Sequence, residues 1–154
     1  MLKKNCLLAC ILMTFTLTQN AFADKKLKDG SMMSMSKLPF ANTVSALTGA
    51  IEDSNLMVIK VVDAQKMLRM AGKKTKGMKQ IFFFHPKFMK RVMEANKMAT
   101  IQIPLKLIVM EKPDGKTVIR YFMPSTLLNK YKGEEKISAE LDKILQGILA
   151  KVSK

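Results

Sequence analysis

The stretch LKLIVMEKPDGKTVIRYF, residues 105–122, constrains the fold of this chain more than any other. Two runs rich in β-branched and apolar residues are joined by Lys112-Pro113-Asp114-Gly115-Lys116. An Asp-Gly pair in so short a link is a strong hairpin signal, because those residues accept the positive φ angles that reverse the chain. The sheet is therefore antiparallel where these strands meet, and its apolar face needs cover. From about Glu134 onward, Ile137, Leu141, Ile144, Leu145, Ile148, Leu149 and Val152 recur at helical spacing. Such a stripe must lie against the sheet or against a partner subunit.

The remaining elements follow from local signals. Met32 to Lys37 alternates weakly, with Met33 and Met35 on one side and Met32, Ser34 and Ser36 on the other, which predicts a first strand after a loose polar lead-in. Pro39-Phe40-Ala41-Asn42 reads as a turn into a helix with Asn42 as its N-cap; Val44, Leu47 and Ile51 face inward and Ser54-Asn55 ends it. The run MVIKVV, residues 57–62, is almost uninterrupted and reads as a well-buried strand. Asp63 is placed to cap a short helix through Met70, stopped by Gly72. A third strand spans Gln80 to Phe84, and Pro86 suits the first turn of a helix to about Lys97. Pro124 stops the second hairpin strand, and Ser125 is placed to cap a short helix over Thr126 to Tyr131. This order predicts an α+β domain, a mainly antiparallel sheet with helices packed on one side.

The N-terminus indicates a compartment. Lys3 and Lys4 precede an apolar run from Cys6 to Thr18, and Ala21-Phe22-Ala23 has the small-x-small pattern of a leader cleavage site, so residues 1–23 are expected to be a signal peptide. Reading Leu7-Leu8-Ala9-Cys10 as a lipoprotein site would leave almost no apolar run before the cysteine. No later stretch offers the roughly twenty apolar residues of a transmembrane helix. The expected product is a single exported domain, periplasmic where there is an outer membrane. It is divided as lead-in and first strand at 24–38, the α+β body at 39–131 and the C-terminal amphipathic helix at 132–154. Cys6 and Cys10 depart with the leader, which excludes disulfides, thiolate ligands and a cysteine nucleophile from the mature chain. The formal charge of +15 is strongly basic. For an exported protein it suits either a solvated lysine-rich surface with no specific partner or contact with anionic lipid, anionic glycan or an acidic protein, and less nucleic acid, for which no recognition motif or stacking platform is present.

From Phe40 to about Leu128 the chain resembles the bacterial and archaeal family catalogued as domain of unknown function 302. The resemblance rests on LMVIKVVDAQKMLRMAG at 56–72, the Phe84-His85-Pro86 corner and IPLKLIVMEKPDGKTVIRYFMP at 103–124. It implies a compact α+β domain, leaves a homodimer open and carries no established activity. Two positions depart from the family pattern: members often have Gly-Asn-Pro at the corner, and often a histidine after the aspartate that is here Asp63, where Ala64 stands. If that glycine serves a positive φ angle, the corner with Phe84 must be built differently.

Candidate sites are few. His85 is the only histidine, wedged between phenylalanines and a proline. No serine sits in a nucleophile motif, so His85 reads first as a structural corner of the fold, second as a residue bordering a ligand site, and not as a catalytic residue. One histidine without cysteine does not assemble a zinc site. Copper(I) accepts thioether sulfur, and Met32, Met33 and Met35 with His85 form a candidate soft set; the competing reading is methionine as core filler, including Met57, Met67, Met70, Met110 and Met123. Glu134-Glu135 and Glu52-Asp53 read as helix-edge carboxylates. Residues 72–77, GKKTKG, have the wrong order for a phosphate loop. The basic residues Lys74 and Lys76 before the third strand, and Lys87 and Arg91 after it, are expected to converge around His85 as an anion-binding surface. The sequence thus reads as a non-enzymatic binding or accessory protein without cofactor, with copper(I) handling as the alternative and an uncharacterised enzyme third.

Overall fold

The computed structural model describes residues 24–153. In chain order it contains β1 (Lys25–Lys26), β2 (Met32–Ser36), α1 (Phe40–Asp53), β3 (Met57–Asp63), α2 (Ala64–Met70), β4 (Met78–Phe84) and α3 (Pro86–Asn96). A 3-10 segment (Lys97–Gln102), β5 (Leu105–Glu111), β6 (Thr117–Tyr121), α4 (Pro124–Leu128) and α5 (Glu135–Ser153) follow. The hairpin forms as its turn demands: Gly115 adopts φ +78°, and the Lys116 N–H donates to Asp114 Oδ1 at 3.1 Å. Its two strands sit at the centre of one six-stranded sheet, ordered β1-β2-β6-β5-β4-β3, with every neighbouring pair antiparallel.

One face of the sheet carries Ile81 and Phe83 from β4, Leu107 and Val109 from β5, and Ile119 from β6, all buried. Leu47 and Ile51 of α1 and Leu141, Leu145, Ile148 and Val152 of α5 close over it in one continuous cluster. Each such side chain stabilises the fold by about 1.5–3 kcal/mol. The α5 stripe is thereby covered within the chain. The opposite face follows the alternation of the strands and carries Met33, Met35, Val118, Ile108, Met110 and Met78.

Four local expectations need correction. The MVIKVV run is an edge strand, not a buried one, with Met57 53%, Ile59 58% and Val61 39% exposed. A β-branched run reads alike at the centre and at the edge, and only strand order separates the two. A register shift between Val58 and Lys60, together with the lysine itself, blunts that edge against pairing. Helix α1 begins before Asn42, with Pro39 in the N-cap position and no side-chain cap; the Thr43 hydroxyl, 2.7 Å from Ser36 Oγ and 3.0 Å from the Leu38 and Pro39 carbonyls, ties down the first turn instead. Ser125 lies inside α4, where its N–H is capped from a distance by Asp142 Oδ1 at 2.9 Å. The lead-in is partly ordered as β1, and Asp29 reaches Arg120 of β6.

Gly77 joins the basic loop to β4. Its N–H donates to Glu111 Oε2 at 3.2 Å, its carbonyl accepts from the Glu111 N–H at 2.8 Å, and a Cβ there would stand 2.7 Å from the Phe40 ring. Gly77→Ala is expected to destabilise the protein by about 1–3 kcal/mol through overpacking. Urea denaturation measures it, and an unchanged midpoint would show that the ring moves aside freely.

Candidate functional site

The His85 corner is assembled from three elements. Strand β4 ends at Phe84, which does not take a positive φ, and His85 follows in extended conformation with φ −144° and ψ 139°, so the Phe84-His85-Pro86 corner is built without a left-handed residue. His85 is the N-cap of α3: its Nδ1 accepts the Lys87 N–H at 3.0 Å, with Pro86 in the first turn. Helix α1 ends beside it in a C-terminal reversal in which Asn55 takes φ +55°, its N–H donates to the Glu52 carbonyl at 3.0 Å, and the Leu56 N–H donates to the Ile51 carbonyl at 3.1 Å. Helix α5 supplies the third side. Together Ser54, Asn55, His85, Lys87, Phe88, Arg91, Glu140 and Ile144 line a cleft of about 440 Å³.

Hydrogen bonding sets what this cleft can do. Because Nδ1 accepts a backbone N–H, neutral His85 carries its proton on Nε2, leaving that nitrogen as a donor. Arg91 binds Glu140 at 2.7 Å and lies 5.2 Å from the centre of the Phe88 ring. The hydrogen bond from Arg91, with its charge, holds the Glu140 carboxyl below the usual carboxylate range and raises the guanidinium correspondingly. Ser54, His85 and Glu140 are the residue types of a hydrolytic triad, but they do not form one. The Ser54 hydroxyl donates to the Ala50 carbonyl at 2.7 Å, Nδ1 is occupied by a backbone donor, and Glu140 is engaged by Arg91. The donors of the cleft are the His85 Nε2–H, the Lys87 ammonium, the Asn55 amide and the remaining Arg91 N–H groups.

Of the residues expected to converge, His85, Lys87 and Arg91 do so. Lys74 and Lys76 do not: they precede β4 and His85 follows it, and seven strand residues at about 3.3 Å each set the two groups about 20 Å apart. The expected methionine and histidine set is also divided. Met32 turns inward and packs against the core, whereas Met33 and Met35 lie on the opposite face. Met33 is level with Gln80 of β4, three strand spacings or about 14 Å away. His85 lies farther along that strand and past its end. Met57, Met67 and Met70, expected in the core, are 53%, 61% and 82% exposed. Among the described residues no three His, Cys, Asp or Glu side chains group as a metal site. Ser54, Asn55, Phe88, Glu140 and Ile144 join the cleft beyond the expected residues; Ser54 and Asn55 carry a signal as helix terminators and Phe88 follows the corner on α3, whereas Glu140 and Ile144 reach the cleft only through the docking of α5.

A helix-covered antiparallel sheet with a cleft at the end of β4 defines a small α+β domain. The chain belongs to the family described as Domain of unknown function DUF302, whose model matches residues 32–152. The crystal structure of an uncharacterized conserved DUF302 protein from Bacillus stearothermophilus is similar, with a TM-score of 0.73 and 19% identity over 80% of this chain and 98% of that one. That likeness establishes the shared fold. No curated protein matches the chain.

Two side chains yield predictions. His85→Ala removes the α3 cap and is expected to cost about 1 kcal/mol, whereas His85→Asn keeps a capping acceptor and most of the stability. Equal losses in thermal unfolding would refute the capping role. Glu134, just before α5, is fully enclosed, and neither carboxyl oxygen has a hydrogen-bond partner among the described residues. Burial, and secondarily the charge of Glu135, raises its pKa. A carboxyl raised in the folded state contributes fully below the ordinary carboxylate range, and that contribution is lost as pH rises through the folded value. Glu134→Gln is thus expected to be more stable than the parent at neutral pH and to match it in acid. Parallel pH–stability curves for the two proteins would contradict this.

Proposed function

We propose that this protein is exported and binds, without transforming it, a small anionic group carried by a glycan or a lipid headgroup. The observation that carries the reading is the joint presence of His85, Lys87, Arg91 and Asn55 around one cleft. Its volume falls in the range of small-ligand sites, and its concavity suits a compact anion better than the broad face of an acidic protein. The formal charge, +15 for the full sequence and +13 once Lys3 and Lys4 leave with residues 1–23, would draw anions toward it. Export rests on residues 1–23, which lie outside the described residues. No described helix is long and apolar enough to cross a membrane. The binding reading is preferred to an enzymatic one because the Ser54, His85 and Glu140 hydrogen bonds leave no activated nucleophile.

Titration with inorganic phosphate, followed by backbone amide NMR, tests the site. Shifts are expected at Asn55 and from His85 to Arg91, to weaken in Lys87→Ala, and to shrink in salt as screening shortens from about 10 Å at 0.1 M to about 3 Å at 1 M. His85→Asn separates ligand from fold, since it preserves the cap but removes the ring donor. Larger shifts around Lys74 and Lys76, or binding indifferent to salt, would defeat the proposal.

A further inference from the structure

The register of the sheet brings together a methionine group that chain order conceals. Met35 is directly opposite Val118, Val118 is directly opposite Met110, and Met110 is directly opposite Met78. Directly opposed residues of antiparallel strands share a face, so Met35, Met110 and Met78 form one row across four adjacent strands, with Val118 between the first two. Met33 lies two residues from Met35 on the same face. None of the four belongs to the main hydrophobic cluster beneath α1 and α5 or to the residues packed against that cluster, unlike Met32, Met89 and Met123. All four are only partly exposed. They therefore lie outside the inner core, whose gaps methionine commonly fills.

We infer that this row is a soft-metal site for Cu(I), and for its redox-inert analogue Ag(I), with Met35, Met78 and Met110 as thioether ligands and Met33 as their neighbour. Thioethers are neutral and polarisable, so they hold a soft monovalent ion without a change of protonation, and they discriminate against zinc or magnesium. Met78 and Met110 are a direct cross-strand pair, with Cβ atoms about 5 Å apart. Met35 faces them across the shorter Val118, which is 5% exposed. Its three rotatable bonds allow the sulfur to lean over that valine. Of the cations near the row, Arg120 binds Asp29 and its Nε donates to Ser31 Oγ at 3.0 Å, while Lys112 and Lys116 lie 3.5 and 3.8 Å from Asp114 Oδ2. This set replaces Met32 and His85 of the sequence expectation with Met78 and Met110. It stands independently of the anion cleft, which lies beyond the end of β4.

The test is a titration of the full chain with Ag(I), read from the methyl resonances of its methionines. Cys6→Ser and Cys10→Ser are introduced first, so that leader thiols do not capture the metal. The expected result is saturation at one Ag(I) per chain, with the largest shifts at Met35, Met78 and Met110. Met67, Met70 and Met98, which are 61%, 82% and 67% exposed, should move least and serve as internal controls for indiscriminate thioether binding. Met35→Leu with Met110→Leu, a volume-conserving pair, should weaken binding at least ~tenfold, whereas Met67→Leu with Met70→Leu should not. Unchanged circular dichroism keeps the comparison one of binding. Parallel shifts at the exposed controls, undiminished affinity in the double variant, or no saturable binding would each overturn the inference.

Discussion

Burial of one face of the sheet beneath α1 and α5 is the interaction on which the rest of the structure depends. Phe83, Leu107, Ile119, Leu47 and Ile148 meet at its centre, each essentially without solvent contact. The described residues contain no cysteine, so no covalent link shares this task. The same packing aligns the end of β4 with the end of α1 and sets α5 across both. The cleft at His85 is a by-product of that alignment: Asn55 comes from the reversal that ends one buried helix, and Glu140 comes from the solvent side of another.

Because stability comes from the inner face, the outer face is free to differ. Antiparallel sheets commonly bury one side and expose the other, and the exposed side then alternates toward polar residues. Here it alternates toward methionine, with Arg120 and Lys106 interspersed. In the cleft, by contrast, structural and chemical duties share the same atoms. The His85 ring caps a helix through Nδ1 and presents Nε2 as a donor, and Arg91 binds Glu140 while flanking Phe88.

Much of the local structure was legible because its causes lie within a few residues of one another. Asp114-Gly115 specified a turn, Asp63 caps α2 by accepting the Lys66 N–H at 2.8 Å, and Pro86 opens α3 as its missing N–H permits. Where a long-range partner does the work, the local signal misled. Asn42 looked like a cap, yet Thr43 anchors α1 through Ser36; Ser125 looked like a cap, yet Asp142 caps its N–H from α5. Glu134 resembled a solvated helix-edge carboxylate and is enclosed instead. Three of the eight residues lining the cleft, His85, Lys87 and Arg91, were legible because the first two turns of α3 hold them near each other.

The sequence by itself determined most of the elements: the hairpin, α2 and α3 with their caps, the apolar stripe of α5 and the alternation that sends Met33 and Met35 to one side. Periodicity, turn chemistry and capping act over a handful of residues, so they are written in the chain. The tertiary structure alone decided that β3 is an edge strand, that Lys74 and Lys76 lie far from His85, that Asn55 and Glu140 border it, and that Met78 and Met110 stand beside Met35. Those neighbours are separated by tens of residues and meet only through strand order and helix docking. Pairing at that range is fixed by how the whole apolar surface closes, which no local pattern encodes.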